Sequence, residues 1–188
     1  VKSAPSNKDK YDALNTALNF LNSSNIEYCI ASGTLLGLYR DNSLIPWDDD
    51  VDINVFGTNS HIIIRSVQAF AEANQFPFRL GNNFFHPKIS IFINGTKLTI
   101  IHLKRGIIKT SYYYRPRYRI PVRYITPLTK CNFHLGITCY IPANPESYLQ
   151  HLYGKNWNTP VKWENDDDIN YNSNYHRSNS LLYGFIES

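Results

Sequence analysis

The chain has no methionine and only three cysteines among its 188 residues. A nascent polypeptide begins with Met, so a chain opening Val1-Lys2-Ser3 is expected to be processed or excised, with a signal peptide or membrane anchor possible upstream. Cys29, Cys131 and Cys139 lack the C-x-x-C spacing of a zinc or redox motif. They are predicted to be free thiols, Cys29 as a small buried hydrophobe, with a Cys131–Cys139 bridge as the alternative. No apolar run approaches the ~18 residues of a membrane span, so the stretch reads as soluble. Charge of one sign is also scarce. Nineteen Lys and Arg against fifteen Asp and Glu leave +4, which favours anionic ligands weakly and gives no reason to expect a nucleic-acid partner. A hydrophobic content of 43% excludes a mainly disordered chain.

The length suits one domain, expected over residues 1–188 with a motif-bearing core at 26–160 and a polar, Asn-rich tail at 161–188. Tyr11, Leu14, Leu18 and Leu21 recur at helical spacing behind Ser6 or Asn7 as cap. Residues 26–31 read as a short strand, and Ser32-Gly33-Thr34 as a turn into a helical run at 35–40. Residues 50–55 alternate polar and apolar, the pattern of a two-faced strand. Ser60 is a candidate cap for a helix at 61–73, and Asn94-Gly95 predicts a hairpin within 88–103. Residues 112–124 are aromatic and basic, a candidate stacking surface or a strand whose tyrosines rest on the core. Pro116 and Pro121 argue against a central strand there. A strand at 133–141 and a helix opened by Asn144-Pro145 and closed by Gly154 complete the pattern. The order predicts an α+β (or α/β) fold, a small mixed sheet flanked by helices.

Four aspartates, Asp48, Asp49, Asp50 and Asp52, crowd the start of the alternating strand. On extended backbone Asp48, Asp50 and Asp52 share a face, with Asp49 opposite. Alternate Cα atoms lie roughly 6.6 Å apart, and no neighbour in the sequence neutralises the charges. A hard divalent cation, Mg²⁺ or Mn²⁺, resolves the repulsion. An EF-hand is excluded because Ile53 stands at the required glycine and Asn59 at the bidentate glutamate. Small residues at Ser32, Gly33 and Thr34, between a strand and a helix start, let backbone N–H groups approach a phosphate. Together the two elements are equipment for phosphoryl or nucleotidyl transfer.

Residues 33–40, GTLLGLYR, followed by residues 45–53, IPWDDDVDI, closely resemble the LicD/fukutin family. The resemblance continues through Lys88-Ile89, Tyr140-Ile141-Pro142, Tyr148-Leu149, residues 153–157 (YGKNW) and Pro160. It implies a nucleotidyltransferase fold and Mg²⁺-dependent transfer of a phospho-alcohol, of phosphocholine or ribitol phosphate type, from a CDP-linked donor to a glycan hydroxyl. By motif position Asp50 and Asp52 are the catalytic carboxylates and metal ligands, with Asp48 supporting them. Ser32, Gly33 and Thr34 would contact donor phosphate, and Arg40 and Lys88 would contact phosphate or nucleotide. For a eukaryotic chain the resemblance implies the Golgi lumen or secretory pathway, for a bacterial one the cytoplasm.

One position departs from the family pattern. The third carboxylate is expected in residues 97–103, where Thr99 takes its place, and His102 falls on the opposite strand face. Three readings stay open: an active transferase, a weakened or inactive nucleotide- or glycan-binding module, and a nucleotidyltransferase adding NMP to a small molecule or RNA.

Overall fold

The computed structural model describes residues 5–57, 59–81, 87–105, 110–115 and 118–160; the tail from 161, Asp166-Asp167-Asp168 and Pro116 lie outside these. The elements run α1 (Asn7–Ser23), β1 (Tyr28–Ile30), α2 (Ser32–Asp41), β2 (Asp50–Val55), α3 (Ser60–Ala73), β3 (Phe78–Leu80), β4 (Lys88–Ile93) and β5 (Thr96–His102). Then follow β6 (Lys104–Arg105), β7 (Ser111–Arg115), β8 (Tyr118–Pro121), α4 (Val122–Ile125), β9 (Thr129–Asn132), a 3₁₀ turn (His134–Gly136), β10 (Thr138–Ile141) and α5 (Pro145–Tyr153).

The main sheet has five strands in the order β1-β2-β5-β4-β3. Only β2 and β5 are parallel; the other pairs are antiparallel, so the predicted mixed sheet is observed. Directly paired residues point to one side of a sheet. One side therefore collects Val51, Ile53, Val55, Leu98, Ile100, Ile89, Ile91 and Ile93, all buried. α1 lies over this side: the Tyr28 hydroxyl, from a residue paired with Val55, donates to Asn22 Oδ1 of α1. α3 joins it through the Phe20–Phe70 stack, with ring centroids 4.2 Å apart. The opposite side carries Asp50, Asp52, Lys97, Thr99, Ser90 and Lys88.

Local sequence explains the ends of these elements. Ser6 and Asp9 form a reciprocal capping box on α1. Asn144 caps α5 by accepting from Ser147 N–H, with Pro145 in the first turn. Asn59, rather than Ser60, caps α3. The Ser60 hydroxyl instead hydrogen-bonds His102 Nδ1, 3.0 Å away, while Asn59 Oδ1 accepts from the His61 and Ile62 N–H groups. The run at 133–141 is strand only from Thr138, because Leu135 (φ 60°) and Gly136 (φ 72°) turn the chain into a tight reversal. Pro121 ends β8, an edge strand, where its missing N–H breaks no ladder. Tyr112 is buried and shares a hydrogen bond with Thr126 Oγ1 at 2.9 Å, so it rests on the core. Cys131 and Cys139 stand directly opposite each other on β9 and β10, and all three thiols are free.

Candidate functional site

The polar side of the sheet meets the N-terminus of α2 at one end of β2. Ala31 N–H donates to Asp52 C=O, and Asp52 N–H donates to Thr34 Oγ1 at 2.8 Å. These bonds fasten the start of α2 to the acidic strand. The helix begins earlier than the sequence suggested: its first bond, Leu35 N–H to Ala31 C=O, already encloses Ser32, Gly33 and Thr34. Ser32 sits at φ 44°, a left-handed conformation costly for a residue with a Cβ. No side chain caps α2, which leaves N–H groups of its first turn to solvent or a ligand.

Asp48 and Asp49 precede the strand, which starts at Asp50, so strand alternation does not govern them. This corrects the expectation that Asp49 faces away. One ligand oxygen each from Asp48, Asp49 and Asp50 lies within 4.8 Å of the others. Asp50 Oδ2 accepts from Lys97 Nζ at 3.2 Å and from Thr99 Oγ1 at 3.3 Å. Asp52 pairs in register with Thr99, which pairs with Ser90, so these side chains form a row across the polar face. Thr99 is fully buried at the seat where a third carboxylate was expected.

Burial and mutual repulsion raise the proton affinity of Asp48 and Asp52. Burial, then Asp50 and Asp49, lifts the Asp48 carboxyl to about 6. Burial, then Asp50 and Asp48, drives the Asp52 carboxyl well above the ordinary carboxylate range, against the pull of Lys88 and Lys97. Lys88 therefore lies within electrostatic reach of Asp52. Arg40 stands at the far end of α2, about 12 Å along the helix axis from Ser32. Its guanidinium forks onto Asp41 at 2.8 and 2.6 Å.

Hard carboxylate oxygens this close fit a divalent cation such as Mg²⁺ or Mn²⁺. The pH dependence has a definite sign. Asp48 binds its proton more tightly folded than unfolded, so its contribution to stability falls as pH rises from about 4 to about 6. Asp48→Asn is therefore expected to stabilise the metal-free protein at pH 7.5, by up to about 3 kcal/mol, with the advantage vanishing below pH ~4. Melting curves of both proteins across this range check it; a gap independent of pH would contradict it.

Sequence reading missed two cations. Lys97 reaches Asp50 from 47 residues away, and Lys10, on α1, is buried beside the acidic loop. The only sequence signal for Lys10 was a lysine one residue before the apolar stripe of α1. Trp47, next to Asp48 in the chain, is 45% exposed.

The glycines divide by what they touch. A Cβ on Gly37 would lie 2.6 Å from Ser43 O and 2.9 Å from Ile45 N, both backbone atoms. A Cβ on Gly33 would meet the carboxylate of Asp48, a side-chain end that can move. Gly37→Ala is expected to lower the melting temperature more, at a cost of about 1–3 kcal/mol. Gly33→Ala is expected to weaken Mn²⁺ binding more, by displacing Asp48. Melting temperature and Mn²⁺ titration of both variants check the split, and the reverse order would refute it.

The chain is 25% identical to the human ribitol-5-phosphate transferase FKTN over 178 residues, covering 87% of this chain and 36% of that protein. It is 28% identical over 149 residues to an uncharacterised Rickettsia typhi protein, covering 76% of this chain and 45% of that one. The chain thus spans less than half the length of these relatives. The structure of ANT(2″)-Ia in complex with adenylyl-2″-tobramycin superposes with a TM-score of 0.52 at 14% identity, over 91% of this chain and 88% of that one, which establishes a shared fold. The family model described as LicD/FKTN/FKRP, nucleotidyltransferase domain, matches residues 25–144, the stretch that builds the acidic strand, the α2 N-terminus and the Thr99 strand. The chain belongs to the LicD/FKTN/FKRP nucleotidyltransferase-domain family.

Proposed function

We propose that this chain carries the catalytic domain, over residues 1–188, of a transferase that moves a phospho-alcohol from a CDP-linked donor to a glycan hydroxyl. The observation that carries the proposal is the junction of the acidic cluster with the uncapped start of α2. Asp48, Asp50 and Asp52 would hold Mg²⁺ or Mn²⁺, with Asp49 at the exposed side. A cation bound there supplies charge neutralisation at the phosphates and at the leaving oxygen.

The rest falls to the chain itself. Backbone N–H groups of the Ser32–Thr34 turn face the donor phosphates, and the helix N-terminus adds positive potential. Lys88 and Lys97, on the same sheet face as the carboxylates, compensate remaining anionic charge. The acceptor hydroxyl oxygen forms the new bond to the distal phosphorus, the bond from that phosphorus to CMP breaks, and the hydroxyl proton passes to a carboxylate of the cluster. Thr99 cannot take that proton at neutral pH. The Thr99 hydroxyl in the third seat, and Lys97 already on Asp50, favour a second reading: a weakened member that binds donor and turns it over slowly.

Incubation with CDP-ribitol or CDP-choline, Mg²⁺ and a glycan acceptor tests the proposal. CMP release dependent on acceptor supports phospho-alcohol transfer. Pyrophosphate release from a nucleoside triphosphate indicates NMP transfer instead. Donor binding without turnover supports the second reading.

A further inference from the structure

We propose that Lys10 is a positioning residue that fixes the acidic loop without occupying any of its carboxylate oxygens. This inference rests on the reading above that the carboxylates take a divalent cation. Lys10 lies on the buried side of α1 and is 1% exposed. Its Nζ donates to three backbone carbonyls, Ile45 at 2.8 Å, Pro46 at 3.2 Å and Asp48 at 2.9 Å. An ammonium has three protons, and here each finds an acceptor 35 to 38 residues away in sequence.

Burying an ammonium is unfavourable unless the fold needs its charge or its donors. The segment from 44 to 49 is neither helix nor strand, so most of its carbonyls have no ladder partner. Lys10 supplies donors to three of them and closes the loop around a single point. Asp48 is thereby held with its carboxylate over Gly33 at the start of α2. Two elements that share no local sequence, α1 and the loop, are joined through one nitrogen, and the Asp48 carboxylate carries the link on to Gly33.

The contrast with Lys97 gives the arrangement its meaning. Lys97 donates to Asp50 Oδ2 and occupies a position that a cation would use. Lys10 places its positive charge near Asp48 and Asp49 yet donates only to the main chain. It offsets the repulsion of the cluster and leaves the ligand oxygens open. Arginine cannot replace it, because a planar fork does not match three convergent carbonyls.

The test uses the full chain as wild type, Lys10→Met, Lys10→Arg, Asp48→Asn and the Lys10→Met/Asp48→Asn double variant. Mn²⁺ affinity is measured by calorimetry at pH 7.5, and amide hydrogen exchange is measured without metal. Lys10→Met should weaken Mn²⁺ binding about 10- to 100-fold, the range for groups that orient metal ligands. Lys10→Arg should remain impaired, and the effect of Lys10→Met should largely vanish in the Asp48→Asn background. Faster exchange should be confined to the 45–50 segment. An equal loss in both backgrounds, or faster exchange spread through β4 and β5, would show a general structural role and overturn the proposal. Wild-type affinity in Lys10→Arg would overturn it in favour of charge alone. If wild type binds no Mn²⁺, the cation reading fails; the exchange pattern then decides Lys10 by itself.

Discussion

Asp50→Asn and Asp52→Asn should each abolish Mn²⁺-dependent CDP binding and lower any transferase turnover by about 10³-fold or more, yet differ in their effect on stability. Asp50 is compensated in the free protein: Lys97 and Thr99 both donate to its Oδ2. Removing its charge leaves Lys97, 37% exposed, to water, and the lost ion pair is set against relief of repulsion on Asp48 and Asp52, so stability should change little. Asp52 is half-buried beside Asp50 and Asp48, and its proton affinity is already driven up. Neutralising it removes repulsion, so the metal-free Asp52→Asn protein should melt higher than wild type at pH 7.5. Calorimetry with Mn²⁺ and CDP, set beside melting curves, reads both effects. Undiminished CDP affinity in both variants would exclude these carboxylates as the cation site. A lower melting temperature for Asp52→Asn would show that its carboxylate stabilises the fold.

Thr99→Asp is the gain-of-function counterpart. The Thr99 hydroxyl lies 3.3 Å from Asp50 Oδ2, and its backbone is in register with Asp52, so an aspartate there would enter the same cluster. General-base catalysis is typically worth about 10²–10⁴-fold, and acceptor-dependent CMP release should rise by about 10² or more. Donor affinity should change little, because the phosphate contacts are untouched. The same substitution adds like charge at a fully buried position, so the metal-free variant should be destabilised and recover on addition of Mn²⁺. A folded, Mn²⁺-bound Thr99→Asp protein with unchanged turnover would show that the missing carboxylate is not what limits the reaction.

Much of the fold was legible because its signals are local. The apolar stripe of α1, the hairpin at Asn94-Gly95 and the α5 cap at Asn144 depend on contacts within a few residues. The alternation over 50–55 separated a polar from an apolar face of β2, although Asn54 on the polar face is also buried, and the sheet register placed Thr99 beside the carboxylates as the motif position implied. Where sequence reading went astray, a longer-range contact had intervened. His102, brought back by β5, hydrogen-bonds the Ser60 hydroxyl, and the α3 cap is Asn59. Asp49 was assigned by alternation, which lapses where the strand has not yet begun.

The sequence by itself determined the chemistry available to this protein: four aspartates at the head of a two-faced strand, small residues at a helix start, and threonine where a carboxylate was expected. Tertiary structure decided how those charges are tolerated. Lys97 comes to Asp50 across the parallel β2–β5 pair, and Lys10 comes to the loop from α1. Both cations are distant in the chain. Electrostatic compensation depends on separation in space, which only the folded backbone sets.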